Sequence, residues 1–172
     1  MSNHKVPTMK DSATLEVITP SDREIVMRRV FNAPRRLVFE AWTNPKYVPQ
    51  WLLGPPGWTM PVCEIDLRPG GAWHFVWRQA DGTEMEMRGV YREVEPPQRI
   101  VSTESWGGDW PETVNTALFT ETGGKTTVAI TILYPSKEAR DAALKTGMAK
   151  GAGMSYDRLA ALLVSLADMK LS

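Results

Sequence analysis

The chain has 172 residues, a length suited to one domain, with 42% hydrophobic and 23% charged residues, an ordinary globular balance. Twenty basic residues against twenty acidic ones leave zero formal charge, which removes the main electrostatic argument for nucleic acid, whose binding needs clustered Lys and Arg to neutralise phosphates. There is no polybasic amphipathic segment for a membrane surface, no apolar run near the roughly 20 residues that span a bilayer, and no apolar signal-peptide centre in residues 1–10.

Residues 1–22, rich in Ser, Thr, Lys and Asp, read as a flexible N-terminal extension, and 23–170 as a single domain. From Arg23 to Phe31, Ile25, Met27, Arg29 and Phe31 alternate with their neighbours, the period of a strand. The period then changes. Pro34 suits a first helical turn, and Leu37, Val38, Ala41 and Trp42 recur at helical spacing. Asn44-Pro45 ends that helix, because a residue before proline avoids the helical region. A second short helix carries Tyr47, Val48, Trp51 and Leu52, with Pro49 tolerable near its start, and Gly54-Pro55-Pro56-Gly57 breaks regular structure.

Strands are expected near 60–68, 72–79, 84–94, 99–106, 113–121 and 125–134. Their punctuation includes Arg68-Pro69-Gly70-Gly71, Asp81-Gly82, Pro96-Pro97, Gly107-Gly108-Asp109 and Gly123-Gly124. Such short turns imply antiparallel neighbours. Ser136 is placed to cap a helix, Gly147, Gly151 and Gly153 interrupt or thin it, and Tyr156, Leu159, Leu162, Leu163 and Leu166 form an apolar stripe ending near Met169. The order is one strand, two small helices, six strands and a long C-terminal helix. The economical packing is an α+β domain whose curved antiparallel sheet of about seven strands folds around that helix.

This order, with Arg29-Val30-Phe31-Asn32-Ala33-Pro34, Val38-Phe39-Glu40-Ala41-Trp42-Thr43-Asn44-Pro45, Trp51-Leu52-Leu53-Gly54-Pro55, Asp66-Leu67-Arg68-Pro69-Gly70-Gly71-Ala72-Trp73, Asp81-Gly82, Gly89-Val90-Tyr91-Arg92-Glu93-Val94 and Ser155-Tyr156-Asp157-Arg158-Leu159, resembles the SRPBCC superfamily. That superfamily has the helix-grip fold of START-like lipid-binding domains and polyketide cyclases. Within it the chain looks most like the family of the C-terminal domain of the heat-shock-chaperone ATPase activator, over roughly residues 23–168. The resemblance implies a ligand cavity between sheet and helix. Its recurrent residues are mostly turn formers and core residues, which specify shape rather than chemistry. Ala152 and Gly153 stand where relatives often carry bulkier residues, which would enlarge the cavity mouth. No domain of the kind chaperone activators carry precedes the resemblance, which lowers the expectation of a chaperone role.

By strand parity Trp73, Phe75 and Trp77 share one face, Met85 and Met87 share a face across the Asp81-Gly82 turn, and Ser102, Glu104 and Trp106 share another. Together with Met148 and Ala152 of the terminal helix they are the expected ligand-binding residues, with core filling as the alternative use of the same side chains. Trp51 and Trp58, beside the Gly/Pro-rich loop, are candidates for the cavity entrance or for a plug that holds the loop. Among charged strand residues, Arg78, Glu86 and Arg88 are expected on the wet face. Glu104 is the weak catalytic candidate, since burial would raise its pKa and make it a proton carrier. His74, alternating with Trp73 and Phe75, should face outward, and a lone histidine makes no metal site. Cys63, the only cysteine, cannot form an internal disulfide and reads as a small buried hydrophobe, consistent with a reducing cytoplasmic location. Neither G-x-S-x-G nor a phosphate-cradling loop occurs, and no cofactor is expected.

The expected function is binding of a small hydrophobic or amphipathic molecule. A cofactor-free enzyme of the cyclase or aromatase type and a chaperone-regulating interaction module are the alternatives. A homodimer that covers an exposed sheet edge is also expected.

Overall fold

The computed structural model describes residues 14–171. Eight strands form one antiparallel sheet: β1 (Glu16–Ile18), β2 (Glu24–Phe31), β3 (Trp58–Ile65), β4 (Ala72–Gln79), β5 (Glu84–Glu95), β6 (Arg99–Glu104), β7 (Thr113–Thr122) and β8 (Lys125–Leu133). Their spatial order is β1-β2-β8-β7-β6-β5-β4-β3. Helices α1 (Arg35–Thr43) and α2 (Val48–Trp51) lie between β2 and β3, and α3 (Lys137–Leu144) and α4 (Met148–Leu171) follow β8. The curved sheet around a C-terminal helix is as expected.

Local chemistry accounts for most boundaries. Asn44 has extended ψ of 121° and ends α1 immediately before Pro45. Ser136 caps α3, its Oγ accepting from the Ala139 N–H at 3.0 Å. Gly123 and Gly124 both have positive φ, the geometry of a two-residue hairpin whose twist matches its strands, and Thr122 pairs with Lys125 around them.

Two expectations need correction. The sheet has eight strands, not seven, because β1 lies inside the segment read as an extension and pairs with β2, Val17 opposite Met27. Leu15 beside it packs against the core. A three-residue strand with exposed side chains is too short to announce itself by alternation; the rest of the expected extension, residues 1–13, lies outside the described residues. Second, β6 stops at Glu104, so Trp106 stands beyond it, after the single bridge between Arg88 and Ser105.

The helix is most deeply buried along its C-terminal part. Tyr156, Leu159, Leu163 and Leu166 are buried and pack with Phe31, Phe119, Val128 and the buried faces of α1 and α2. Fully burying each of those leucines contributes roughly 1.5–3 kcal/mol. Leu162, included in the expected stripe, is only half-buried. Toward the N-terminus of α4, Met148 and Ala152 pack on a second cluster of Ile25, Met27, Ile132, Tyr134 and Ala143, Gly151 faces Gly54 and Pro55, and all three residues border a cavity between the layers.

Candidate functional site

The cavity encloses about 800 Å³. Its floor follows from the register of the sheet. On β4 and β5, Trp77 pairs with Met85, Phe75 with Met87 and Trp73 with Gly89. Across β6, β7 and β8, Tyr91 pairs with Ser102, Ser102 with Asn115, Glu104 with Thr113, and Asn115 with Ile132. All these residues except Gly89 line the cavity. Gly89 has another task. A Cβ there would lie 1.9 Å from the Thr103 carbonyl oxygen and 2.7 Å from the Trp73 ring, so only glycine lets the indole lie flat on β5.

One end of the cavity is aromatic. Trp73 and Phe75 have ring centroids 5.0 Å apart, Phe75 and Trp77 meet edge to face at 5.9 Å, and Trp106 stacks on Trp77 at 5.6 Å with 14° between planes. The Trp77 N–H donates to the Leu52 carbonyl at 2.7 Å, and the Gly54 N–H donates to Ser155 Oγ at 2.8 Å. The Gly/Pro-rich loop is thereby tied to both β4 and α4. The Trp73 indole N–H is buried with no acceptor among the described residues.

The other end is polar. Asn115 Nδ2 donates to Glu104 Oε1 at 3.0 Å, and the Thr113 hydroxyl donates to Asn115 Oδ1 at 3.0 Å. Burial raises the Glu104 pKa, while hydrogen bonds with Asn115, Trp106 and Thr113 pull it back. Glu104 is half-buried and lines the cavity. Among the described residues it has no ion-pair partner, and the cavity lining holds no Lys, Arg or His. Tyr134 and Tyr156 border the same end. Burial, then the Glu104 charge, lifts both phenols, Tyr134 to about 12. Arg29 acts in the opposite sense on Tyr156, but its guanidinium donates to Asp157 at 2.7 Å.

The structure therefore brings together Trp73, Phe75, Trp77, Met85, Met87, Glu104, Trp106, Met148 and Ala152 around one space. Met85 and Trp106 are about two-fifths exposed and stand at its rim. Trp58, half-buried at the start of β3, also lines it. Trp51 is corrected from entrance to inner wall: it is 1% exposed, and its N–H donates to the Ala41 carbonyl at 3.0 Å. A satisfied, fully buried indole packed against Trp42 cannot serve as a door. Gly153 faces Leu15, so of the two small residues only Ala152 borders the cavity.

The charged strand residues are engaged on the outer face. Arg78 Nε donates to Glu84 at 2.8 Å, and Glu86 is hydrogen-bonded by both His74 and Arg88. Glu86 also touches the cavity rim. Among the described residues no group of three or more His, Cys, Asp or Glu is arranged to hold a metal ion, and no helix is long and apolar enough to cross a membrane.

Sequence reasoning did not place Thr113, Asn115 or Tyr134 at the site, and it read Tyr156 only as part of the apolar stripe of the terminal helix. The alternation of β7 puts Thr113 and Asn115 on one face, but which face, and opposite which residues, depends on pairing with β6.

Among solved structures, a protein from Rhodobacter sphaeroides is 29% identical, with a TM-score of 0.85 over 88% of this chain and 99% of that one. A protein from Mycobacterium smegmatis is 25% identical, with a TM-score of 0.78 over 87% of this chain and 96% of that one. An AHSA1-like protein from Aeromonas hydrophila, 19% identical with a TM-score of 0.69 over 81% of this chain and 93% of that one, shares the fold. No curated protein matches the chain. The family model described as Activator of Hsp90 ATPase homolog 1-like protein matches residues 32–164. With that match spanning most of its length, the chain belongs to the Activator of Hsp90 ATPase homolog 1-like family.

Proposed function

We propose that this chain binds a small hydrophobic or amphipathic molecule in the cavity between the sheet and α4. The observation that carries the reading is the cavity of about 800 Å³ with an aromatic floor and one polar corner, within the roughly 300–1,000 Å³ of small-molecule sites. Apolar burial at about 25 cal/mol per Å² supplies affinity, and the corner around Glu104 orients the ligand. Native mass spectrometry of freshly purified protein tests this. The expected result is a reproducible added mass that disappears on denaturation and is absent from Ala152→Trp, whose indole would occupy the space. A clean apo mass, with no mass added on incubation with small aryl-alkyl probes, would overturn it.

Glu104, at the cavity wall with its pKa raised by desolvation, supports a second reading, a cofactor-free enzyme of the cyclase or aromatase type in which its carboxyl moves protons on a folded substrate. In that case Glu104→Gln would keep ligand binding and lose turnover. A homodimer and a cytoplasmic location are part of the proposal. The open edges of the sheet, β1 and β3, are the surfaces a second copy would cover, and sedimentation at micromolar concentration distinguishes 19.2 kDa from twice that mass.

A further inference from the structure

Three carboxyl groups, Glu84, Glu86 and Glu104, border the cavity beside many aromatic rings, and among the described residues its lining holds no Lys, Arg or His. Glu104 accepts from Asn115 Nδ2 at 3.0 Å and lines the cavity together with Trp106, which stacks on Trp77, and, after burial, its charge raises the phenols of Tyr134 and Tyr156. Its protein partners are neutral: the Asn115 amide, the Thr113 hydroxyl and the Trp106 side chain. A buried carboxylate is ordinarily matched by Arg or Lys, because its desolvation is otherwise uncompensated. The two remaining acids at the rim are already matched from the outer face, Glu84 by Arg78 and Glu86 by His74 and Arg88. Arg29 lies outside the cavity lining and pairs with Asp157 through Nη1, while its Nε is buried with no acceptor among the described residues.

From this arrangement we infer that the cavity selects an amphipathic amine, whose ammonium group pairs with Glu104 among the aromatic rings while its apolar body lies along Trp73, Phe75 and Trp77. Ring faces attract a desolvated cation through their quadrupole, and the carboxylate supplies the opposite charge in a medium where attraction is strong. The same features reject a carboxylate ligand, which would face Glu104 with no base to neutralise either group. Binding is linked to protons: the ammonium favours ionised Glu104, so a proton leaves the carboxyl as the amine enters, and affinity rises with pH through the Glu104 titration. Tyr134 and Tyr156, both raised, stay protonated in that range.

The inference rests on the cavity being a ligand site, and its test separates the two claims. Three probes share one body: 4-phenylbutylamine, 4-phenylbutanol and 4-phenylbutyrate. Calorimetry with the full chain at pH 8 is expected to show the amine binding about tenfold or more tighter than the alcohol, and the carboxylate weakest. At a pH where Glu104 is protonated, amine binding repeated in buffers of different ionisation enthalpy is expected to release protons. Glu104→Gln should remove the preference for the amine over the alcohol, and its urea midpoint against wild type checks the variant's fold. If the alcohol binds as well as the amine, or if Glu104→Gln keeps the preference, the amine assignment falls and the cavity reading stands. If none of the three binds, the cavity reading falls with it.

Discussion

The same chemical change, glycine to alanine, is expected to act in opposite directions at Gly89 and Gly151. At Gly89 the new Cβ would meet the Thr103 carbonyl oxygen at 1.9 Å and two Trp73 ring carbons at 2.7 Å. Relief requires β5 and β6 to part by about 1.5 Å locally and the indole to lift toward the cavity. Overpacking of this kind costs about 1–3 kcal/mol. Parting the strands also strains the Val90 N–H bond to Thr103 Oγ1, 3.0 Å long, and the paired Arg88 and Ser105 backbone bonds, each contributing about 1 kcal/mol. The expected loss is about 3–5 kcal/mol. With a urea slope near 2 kcal/mol per molar, the unfolding midpoint falls by roughly 1.5–2.5 M. At Gly151, inside α4, a Cβ would meet only Pro55 Cδ at 3.6 Å and Gly54 Cα at 4.0 Å, ordinary contacts. Removing a helical glycine there should raise stability by about 0.5–1 kcal/mol, chiefly by restricting the unfolded chain. Urea titration followed by tryptophan fluorescence reads both. A Gly89→Ala midpoint within about 0.3 M of wild type, or a Gly151→Ala midpoint below that of wild type, would refute the steric reasoning.

Two further outcomes follow from titration. Because burial raises the Glu104 pKa above 4.5, its native state holds a proton that the unfolded state has released. Stability should therefore fall as pH rises from 4.5 through the native pKa, and Glu104→Gln should lack that loss; urea midpoints from pH 4 to 8 that run parallel for the two proteins would contradict it. The Cys63 thiol, pushed up to about 11 by burial and then by Glu64, should react with a disulfide reagent at pH 8 far more slowly than in urea-unfolded protein, and equal rates would show that it is open to solvent.

Much of the architecture was legible because its causes are local. Alternation along Glu24–Phe31 and Ala72–Gln79, the Pro45 stop, the Ser136 cap and the paired glycines at 123 and 124 each act within a few residues, so pattern and structure coincide. Strand parity likewise put Trp73, Phe75 and Trp77 together and suggested that Glu104 shares a face with Ser102. Parity cannot say which face is concave. That was decided by long-range pairing, which sets Glu104 opposite Thr113 and Ser102 opposite Asn115, after a bulge between Tyr91 and Glu93 that alternation does not reveal. Packing between distant elements also placed Trp51 in the wall through its bond to Ala41 and recruited Glu16–Ile18 to the sheet edge. The cavity is a tertiary fact of the same kind. The leucines of α4 hold its C-terminal part against the core, and Gly151 and Ala152, which border the space nearer its start, are too small to fill it.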